Sequence, residues 1–298
     1  MEDLEEHLKP LRAEGHLDSQ GSFSLDGTRA LEILGHYALE EPRCYILNLV
    51  SWAVASQATC IRIQVRPGLI EMRHDGQWPQ QLSELFTHFG EYPIALQELA
   101  IGWATAARLP GSKVTLQTSQ AGLRLEQGRF QPAEPGENLF RLEEPAPLNH
   151  WLRRAVGKPQ REATLLEERG RHAGIPVYVN EAMISQPVLV PYLGQAIHLT
   201  GLPLPVEFSG QVVERPSPGN FSALVARCSV PILEIPALFL VRGVRFETDP
   251  LVAQGIPLVA VVQAPELSKD LSQAGLVHNP KYLELRQVLS QIGEELFS

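Results

Sequence analysis

Three side chains on one predicted helix occupy positions from which they could contact a ligand. Asn48, Trp52 and Ala55 are spaced four and three residues apart, so they share one helical face. An amide cannot take a proton from water, and an indole offers only an N–H donor where Mg²⁺ requires oxygen ligands. The sequence therefore predicts a bulky, neutral face that lacks a group to activate water or to hold a divalent ion.

A second polar group, His74-Asp75-Gly76, follows a predicted strand. Two interpretations stay open for it: part of a ligand site, or the turn that ends the strand, because Asp-Gly is a common turn pair. Tryptophan side chains pack in protein cores more often than they bind ligands, so Trp52 can also be interpreted as a core residue. Asn48 has a similarly simple alternative, as a buried amide whose hydrogen bonds are satisfied within the protein.

The elements that position these residues follow from the spacing of apolar side chains. Residues 46–57 are apolar too densely for an exposed helix, so we expect a helix buried on most sides. From Cys60 the period changes to two, Pro67-Gly68 is a turn signal, and residues 69–72 form a second strand. A further helix over residues 95–109 is rich in alanine, which favours close packing on a sheet.

The remaining pattern indicates a mixed α/β protein. Strands are predicted at residues 113–119, 122–127, 139–143, 221–228, 237–242, 244–247 and 257–264, the last of them central, with a hairpin over residues 175–185. Helices are predicted at residues 79–89, 149–171 and 282–297, and residues 131–147 read as a surface excursion. We expect a two-layer α/β sandwich over residues 1–148 and a smaller α+β domain over residues 149–298.

Three segments of the chain resemble the GHKL ATPase superfamily, which includes HtpG-type heat-shock chaperones and MutL-like ATPases. The segment NLVSWAVASQAT is in register with the family helix E-L-x-x-N-x-x-D-A-x-A-T, and HDGQW stands in the place of the motif D-x-G-x-G. The segment ELAIGWATAARLPGSKVTLQTS is similar to the glycine-containing lid, helix and central strand that follow. The likeness covers roughly the first half of the chain, and it implies the Bergerat-type sandwich with a transducer-like second domain.

The resemblance also assigns roles to positions on the helix. Asn48 stands where the family has its catalytic Glu, Trp52 where it has its magnesium-binding Asn, and Ala55 where it has a helix Asp. Without the Glu, the general-base contribution of roughly a hundred- to ten-thousand-fold is missing. The chain therefore departs from the family at three pocket positions on this helix.

The glycine motifs are eroded as well. His74 stands where the family Asp receives the adenine amino group, with Asp75 one residue later, and Trp78 replaces the second glycine. Gly102 alone remains of the lid glycines, and a single glycine is weak support for a phosphate site. The resemblance thus implies a degenerate nucleotide site at Asn48, Ser51, Trp52, Ala55, His74, Asp75, Gly76 and Gly102.

The expected function is that of a chaperone-like or scaffold protein that binds a protein partner or client, with no catalytic residue and no cofactor. The alternative is an active ATPase that binds ATP and Mg²⁺ in a rearranged pocket, with Asp75 holding adenine and Glu71 or Glu98 as base. A third hypothesis is a small-molecule enzyme of unknown reaction. The family transducer extends a lysine into the ATP pocket; Lys269 is the nearest candidate, but we expect it to face solvent.

Composition excludes several other classes. The net charge of -9 argues against a broad nucleic-acid surface or an anionic-membrane surface. Three cysteines lie far apart and show no metal spacing, and neither a metalloprotease motif nor a P-loop occurs. The acidic N-terminus has no apolar signal region, and no apolar run approaches a membrane span, so a cytoplasmic location is expected. GHKL proteins often dimerise through a C-terminal module, and a chain of 298 residues leaves little room for such a module. Whether the chain forms a homodimer stays open.

Overall fold

The structure is a computed structural model and describes residues 41–80, 82, 85, 92–145, 160–190, 193–228, 235–270 and 273–297. Its described part is a mixed α/β arrangement with two large mixed sheets and few helices, of the α+β class. The predicted helix at residues 79–89 and the first part of the one at residues 149–171 lie outside the described residues. None of the described helices combines the length and apolar character that crossing a bilayer requires.

The first sheet is built from short strands with antiparallel pairing at all but one junction. Its members are β1 (Ile61–Arg66), β2 (Leu69–His74), β3 (Lys113–Gln117), β4 (Gly122–Glu126), β5 (Arg129–Ala133), β6 (Leu139–Glu143), β7 (Val177–Val179) and β8 (Ala182–Met183). They lie in the order β5-β4-β3-β6-β2-β1-β7-β8, and β7 pairs with β1 in parallel.

One face of this sheet is continuously apolar because its buried side chains stand opposite one another across the strands. Ile63 of β1 pairs with Met72 of β2, and Met72 pairs with Phe140 of β6. All three side chains are buried. His74 ends β2 on this same buried face, opposite Ile61, whereas Asp75 lies just beyond the strand and is exposed. The alternation of the strand therefore puts the histidine, not the aspartate, on the core side.

Two helices pack against each other in the core of this half, α1 (Tyr45–Ala55) and α2 (Ile94–Ala106). Helix α1 is buried from Tyr45 to Ala53, as the dense apolar sequence predicts. Gly102 is the point of closest approach: a Cβ there would lie 3.1 Å from Asn48 Cβ and 3.3 Å from the Tyr45 carbonyl oxygen. The close contact of the two helices thus depends on a residue without a side chain.

The second sheet contains β10 (Leu193–Thr200), β12 (Gln211–Pro216), β13 (Ser222–Cys228), β14 (Ala237–Val241), β15 (Val244–Thr248), β16 (Leu251–Ala253) and β17 (Ile256–Gln263). The order is β12-β10-β13-β17-β14-β15, and β16 also pairs with β17, so the predicted central position of this apolar strand is confirmed. The small pair β9 (Val188–Val190) and β11 (Val206–Phe208) packs on one face through an apolar cluster that includes Val188, Val190 and Leu224. Helix α4 (Pro280–Glu295) packs so closely that a Cβ on Gly293 would lie 2.2 Å from Leu258 Cδ1 of β17.

The described structure differs from the sequence-based expectations in three places. Residues 129–133, assigned partly to a surface excursion, form the edge strand β5. Strands β9 to β12 were not predicted at all, although they supply one edge and one covering layer of the second half. Within the predicted helix at residues 149–171, the described part is a short helix, α3 (Arg161–Leu165), followed by a π-helical turn, Leu166–Gly170.

Candidate functional site

Asn48 is fully buried at the interface between α1 and α2. Its Nδ2 donates a hydrogen bond of 3.0 Å to Glu98 Oε2 on α2. Within the described part of the chain, Asn48 Oδ1 is buried and has no hydrogen-bond partner. At the position that the resemblance assigns to a catalytic Glu, the amide is therefore a donor to a carboxylate, and an amide cannot take a proton from water.

Glu98 is the centre of a buried group of polar residues that joins the two halves of the chain. Its Oε2 lies 2.7 Å from Lys269 Nζ, and its Oε1 lies 3.0 Å from Arg242 Nη2. Lys269 Nζ also donates a hydrogen bond of 2.8 Å to Ser51 Oγ on α1. We call Asn48, Ser51, Glu98, Arg242 and Lys269 the Glu98 cluster.

The local backbone explains how Arg242 enters this cluster. Arg242 and Gly243 form the two-residue loop between β14 and β15, with φ of 48° and 80°. Positive φ at both central residues is the geometry of a type I′ hairpin turn, which matches the twist of the strands. A Cβ on Gly243 would lie 2.8 Å from Val54 Cγ2, so the loop packs against the end of α1. Arg242 Nη1 also donates to the carbonyl oxygens of Pro265 and Leu267 and so fixes the chain that leads to Lys269.

The sequence-based expectation that Lys269 faces solvent is wrong, because only 2% of its side chain is exposed. Burial lowers the pKa of Lys269 to about 8; attraction to Glu98 opposes this shift, and the positive charges of Arg242 and Arg169 add to it. Two buried cations, Arg242 and Lys269, thus share one carboxylate, and the cluster carries a net positive charge whenever Lys269 is protonated.

Trp52 is fully buried and forms an aromatic cluster with His74 and Trp78. The Trp52 ring meets both partners edge to face, with centroid distances of 4.4 Å to His74 and 4.7 Å to Trp78. His74 and Trp78 are stacked at 4.7 Å. Trp52 and His74 therefore contact each other, and the ring of Trp78 lies against both.

His74 is held neutral by its surroundings. Burial lowers its pKa to about 4, and Nδ1 accepts a hydrogen bond of 3.1 Å from the Gly76 amide, which leaves the proton of the neutral ring on Nε2. Trp78 Nε1 donates to the His74 carbonyl oxygen at 3.0 Å. Among the described residues, neither Trp52 Nε1 nor His74 Nε2 has a hydrogen-bond partner, although both atoms are buried.

Asp75 and Gly76 tie the end of β2 to the turn that follows α1. The Asp75 carboxylate accepts hydrogen bonds from the amides of Thr59 at 2.7 Å and Cys60 at 3.0 Å, and also from the Thr59 hydroxyl. The Thr59 hydroxyl and amide are the main reasons that the pKa of Asp75 falls to about 2. A Cβ on Gly76 would lie 2.5 Å from the Ser56 carbonyl oxygen, so this position requires glycine.

A cavity of about 650 Å³ lies beside the Glu98 cluster, between α1, α2 and the chain that follows β17. Its described lining includes Glu98, Arg242 and Lys269 together with the apolar side chains of Val54, Ile101 and Leu267. Ala55 lines it as well, but Asn48, Trp52 and His74 do not. Clefts of this volume, apolar with a few convergent polar groups, are typical of small-molecule sites.

The structure places the sequence-predicted site residues in three environments. Asn48 and Ser51 belong to the Glu98 cluster, and Gly102 lies at the helix contact beside them. Trp52 and His74 belong to the aromatic cluster, and Asp75 and Gly76 lie in the adjoining turn. Ala55 lines the cavity. Sequence reasoning missed Arg242, which it placed at the end of the predicted strand over residues 237–242, with Gly243 alone before the next strand. Glu98, a single acid in the apolar helix IALQELAIGWATA, was noted only as an alternative base.

The donor set does not fit a magnesium nucleotide at the positions that the resemblance to GHKL ATPases assigns to one. Mg²⁺ prefers an octahedron of oxygen ligands. Asn48 turns its amide nitrogen to Glu98, Trp52 has no oxygen, and both Asp75 oxygens accept hydrogen bonds from Thr59. No group of three or more His, Cys, Asp and Glu side chains in the described chain is placed to hold a metal ion.

Comparison of the sequence with models of known protein families finds no match, and comparison with curated proteins finds none either.

Proposed function

We propose that this chain is a chaperone-like or scaffold protein that binds another protein, built on a GHKL-type fold whose nucleotide site has degenerated. The observation that carries the proposal is the burial of Trp52. Its side chain is fully enclosed and lies against His74 and Trp78, at the positions where the family holds the metal and the adenine. A closely packed aromatic group leaves no room there for phosphates and a hydrated ion.

The hydrogen bonds of the remaining site residues support the same conclusion. Asn48 donates to Glu98, and Asp75 accepts from Thr59 and Cys60, so polar groups that a nucleotide would need are used to hold the fold together. Glu71, one of the two alternative bases, pairs with Arg141 across the sheet at 2.5 Å. The Glu71 carboxylate is therefore already bound by a guanidinium group of the neighbouring strand.

The arrangement of the second half supports the interpretation as a transducer-like domain. Lys269 extends from the chain after β17 to Ser51 on α1 at 2.8 Å, so a lysine from the second half reaches the helix on which the family builds its nucleotide site. The resemblance assigns to the transducer a lysine that extends into the ATP pocket, and Lys269 is the candidate for it. Here, however, the ammonium group is bound to Glu98 and a serine hydroxyl.

Calorimetry with Mg²⁺-ATP and with ADP tests the proposal, together with an assay for phosphate release. We expect no saturable binding at micromolar nucleotide and no turnover. A second assay measures whether the protein suppresses the aggregation of a thermally unfolding client protein, and we expect suppression that ATP does not change. Micromolar affinity with turnover that disappears in Asn48→Ala would refute the proposal.

An active ATPase with a rearranged pocket remains a second candidate because the cavity of about 650 Å³ opens beside Glu98. This candidate makes Glu98 the base, and it requires that nucleotide binding release the carboxylate from Arg242 or Lys269, both of which pair with it in this structure. Glu98→Gln would then abolish phosphate release, and Glu71→Gln, which removes the other candidate carboxylate, would leave it unchanged. Absence of turnover in the unmodified protein removes this candidate.

A further inference from the structure

The Glu98 cluster contains more buried positive charge than negative charge. Arg242 and Lys269 have side chains that are 6% and 2% exposed, and the only carboxylate that pairs with them among the described residues is Glu98. An uncompensated charge out of contact with water is costly, and it is normally paired or neutralised. A bound anion in the adjoining cavity would balance this charge.

The cluster also has hydrogen-bonding capacity that the described residues do not use. Lys269 Nζ has three N–H groups, and its described partners are Ser51 Oγ and Glu98 Oε2. A ligand in the cavity can therefore accept a hydrogen bond from Lys269, and an ionised carboxylate is an acceptor of this kind.

The rest of the lining restricts the kind of anion. Val54, Ile94, Ile101 and Leu267 present an apolar surface, which favours an organic body over a hydrated inorganic ion. The carboxylate of Glu266 also lines the cavity, held by Asn220 at 2.8 Å. Asp270 adds another carboxylate to the lining, so a polyphosphate would meet repulsion that a single negative charge placed at Lys269 and Arg242 largely avoids.

We propose that the cavity beside the Glu98 cluster binds an organic monocarboxylate with an apolar body, whose carboxylate lies against Lys269 and Arg242. The volume of about 650 Å³ is within the range of pockets that enclose small organic ligands. This site is independent of the proposed protein-binding function, because it uses none of the aromatic cluster.

The protonation of Lys269 gives the site a pH dependence. Its pKa is lowered to about 8 by burial, with Glu98 acting against this shift and Arg242 and Arg169 acting with it. A bound carboxylate favours the charged ammonium, so binding takes up protons near pH 8, and affinity falls as the pH rises above that value. The other acidic and basic side chains that line the cavity are Glu266, Asp270 and Lys281.

The experiment measures calorimetric binding of 4-phenylbutanoate, 4-phenylbutanamide and acetate to the full chain at pH 7. We expect one phenylbutanoate per chain, with the neutral amide and acetate weaker by about tenfold or more, since one lacks the charge and the other the apolar body. Ile101→Trp fills the apolar wall and Lys269→Gln removes a charge, and each is expected to weaken binding by about tenfold. Titration at pH 8 in buffers of different ionisation enthalpy measures the proton uptake by Lys269.

Two matched variants control for indirect effects. Lys113→Gln removes a partly exposed lysine that pairs with Glu126 on the first sheet, and Ile256→Trp enlarges an exposed side chain on β17. Both are expected to bind phenylbutanoate as the unmodified protein does. The proposal is overturned if no carboxylate binds, if the amide binds equally well, or if folded Ile101→Trp and Lys269→Gln bind with unchanged affinity.

Discussion

Replacing Glu98 by glutamine tests whether the Glu98 cluster holds the two halves of the chain together. The substitution keeps the size of the side chain but leaves Arg242 and Lys269 buried without their shared counter-ion. At an effective dielectric constant of about 20, each pair of unit charges about 4 Å apart attracts by about 4 kcal/mol, part of which offsets desolvation. Removing one partner from a buried ion pair costs about 3–5 kcal/mol, and we expect Glu98→Gln to lower the free energy of unfolding by that amount.

Urea unfolding at pH 7.5, followed by tryptophan fluorescence and far-ultraviolet circular dichroism, measures this loss. Glu71→Gln is the matched control, because Glu71 pairs with Arg141, whose side chain is 39% exposed. For this more exposed pair we expect a loss of about 0–1 kcal/mol. Adding Lys269→Gln to Glu98→Gln should recover about 1–3 kcal/mol relative to the sum of the single changes, since both members of one pair are then removed.

The reasoning is refuted if Glu98→Gln lowers the unfolding free energy by less than about 1 kcal/mol, the value expected of a surface pair. A loss that does not depend on the presence of Lys269 would also contradict it. In that case Glu98 would act through Arg242 or through packing, and not through Lys269.

Three further predictions concern the aromatic cluster and the helix contact. The pKa of His74 is about 4 in the folded protein and about 6.5 in the unfolded chain. Between these two values a proton binds to His74 in the unfolded chain but not in the folded protein. The stability of the folded protein is therefore unaffected by His74 protonation above pH 6.5, and it decreases as the pH falls towards 4. His74→Phe should remove about 3 kcal/mol of this pH-dependent loss, and equal pH profiles for the two proteins would contradict the assignment. Trp52→Ala should cost about 3–5 kcal/mol in urea unfolding, and a cost below about 1 kcal/mol would mean that the ring is not enclosed. Gly102→Val should cost about 1–3 kcal/mol more than Gly102→Ala by forcing α1 and α2 apart, and equal midpoints would show that the contact is loose.

The fold of the first half could be predicted where hydrophobic spacing is strong. The dense apolar run of α1 predicts a buried helix, and the alternation of apolar and polar residues in β1 predicts a strand, each with approximate bounds. This is possible because the buried faces of a helix or strand are apolar at regular spacings in the sequence. Strand β5 was missed because it is an edge strand, exposed and containing Pro132, so it has little alternation to detect. Strand β12 was missed for a similar reason, since five of its six residues are exposed.

The candidate site could be predicted only in part. Trp52 and His74 could be located from the helix and the strand that carry them, but their mutual contact depends on tertiary packing. The burial of Lys269 was not predictable, because it depends on partners 218 and 171 residues away in sequence, Ser51 and Glu98. A lysine in a polar loop is ordinarily hydrated, and only the position of Arg242 and Glu98 explains why this one is not.

Strand β7 belongs to the first sheet although it follows residue 148, so a fragment that ends near residue 148 lacks one strand of that sheet. Val177 to Val179 supply the neighbour of β1 on the side away from β2, so a fragment that ends before them leaves β1 as an open hydrogen-bonding edge with the apolar residues Ile61 and Ile63 beside it. Such an edge readily recruits other chains. The amino-terminal portion expressed by itself should therefore self-associate, and supplying the remaining portion as a separate polypeptide should restore a non-covalent whole.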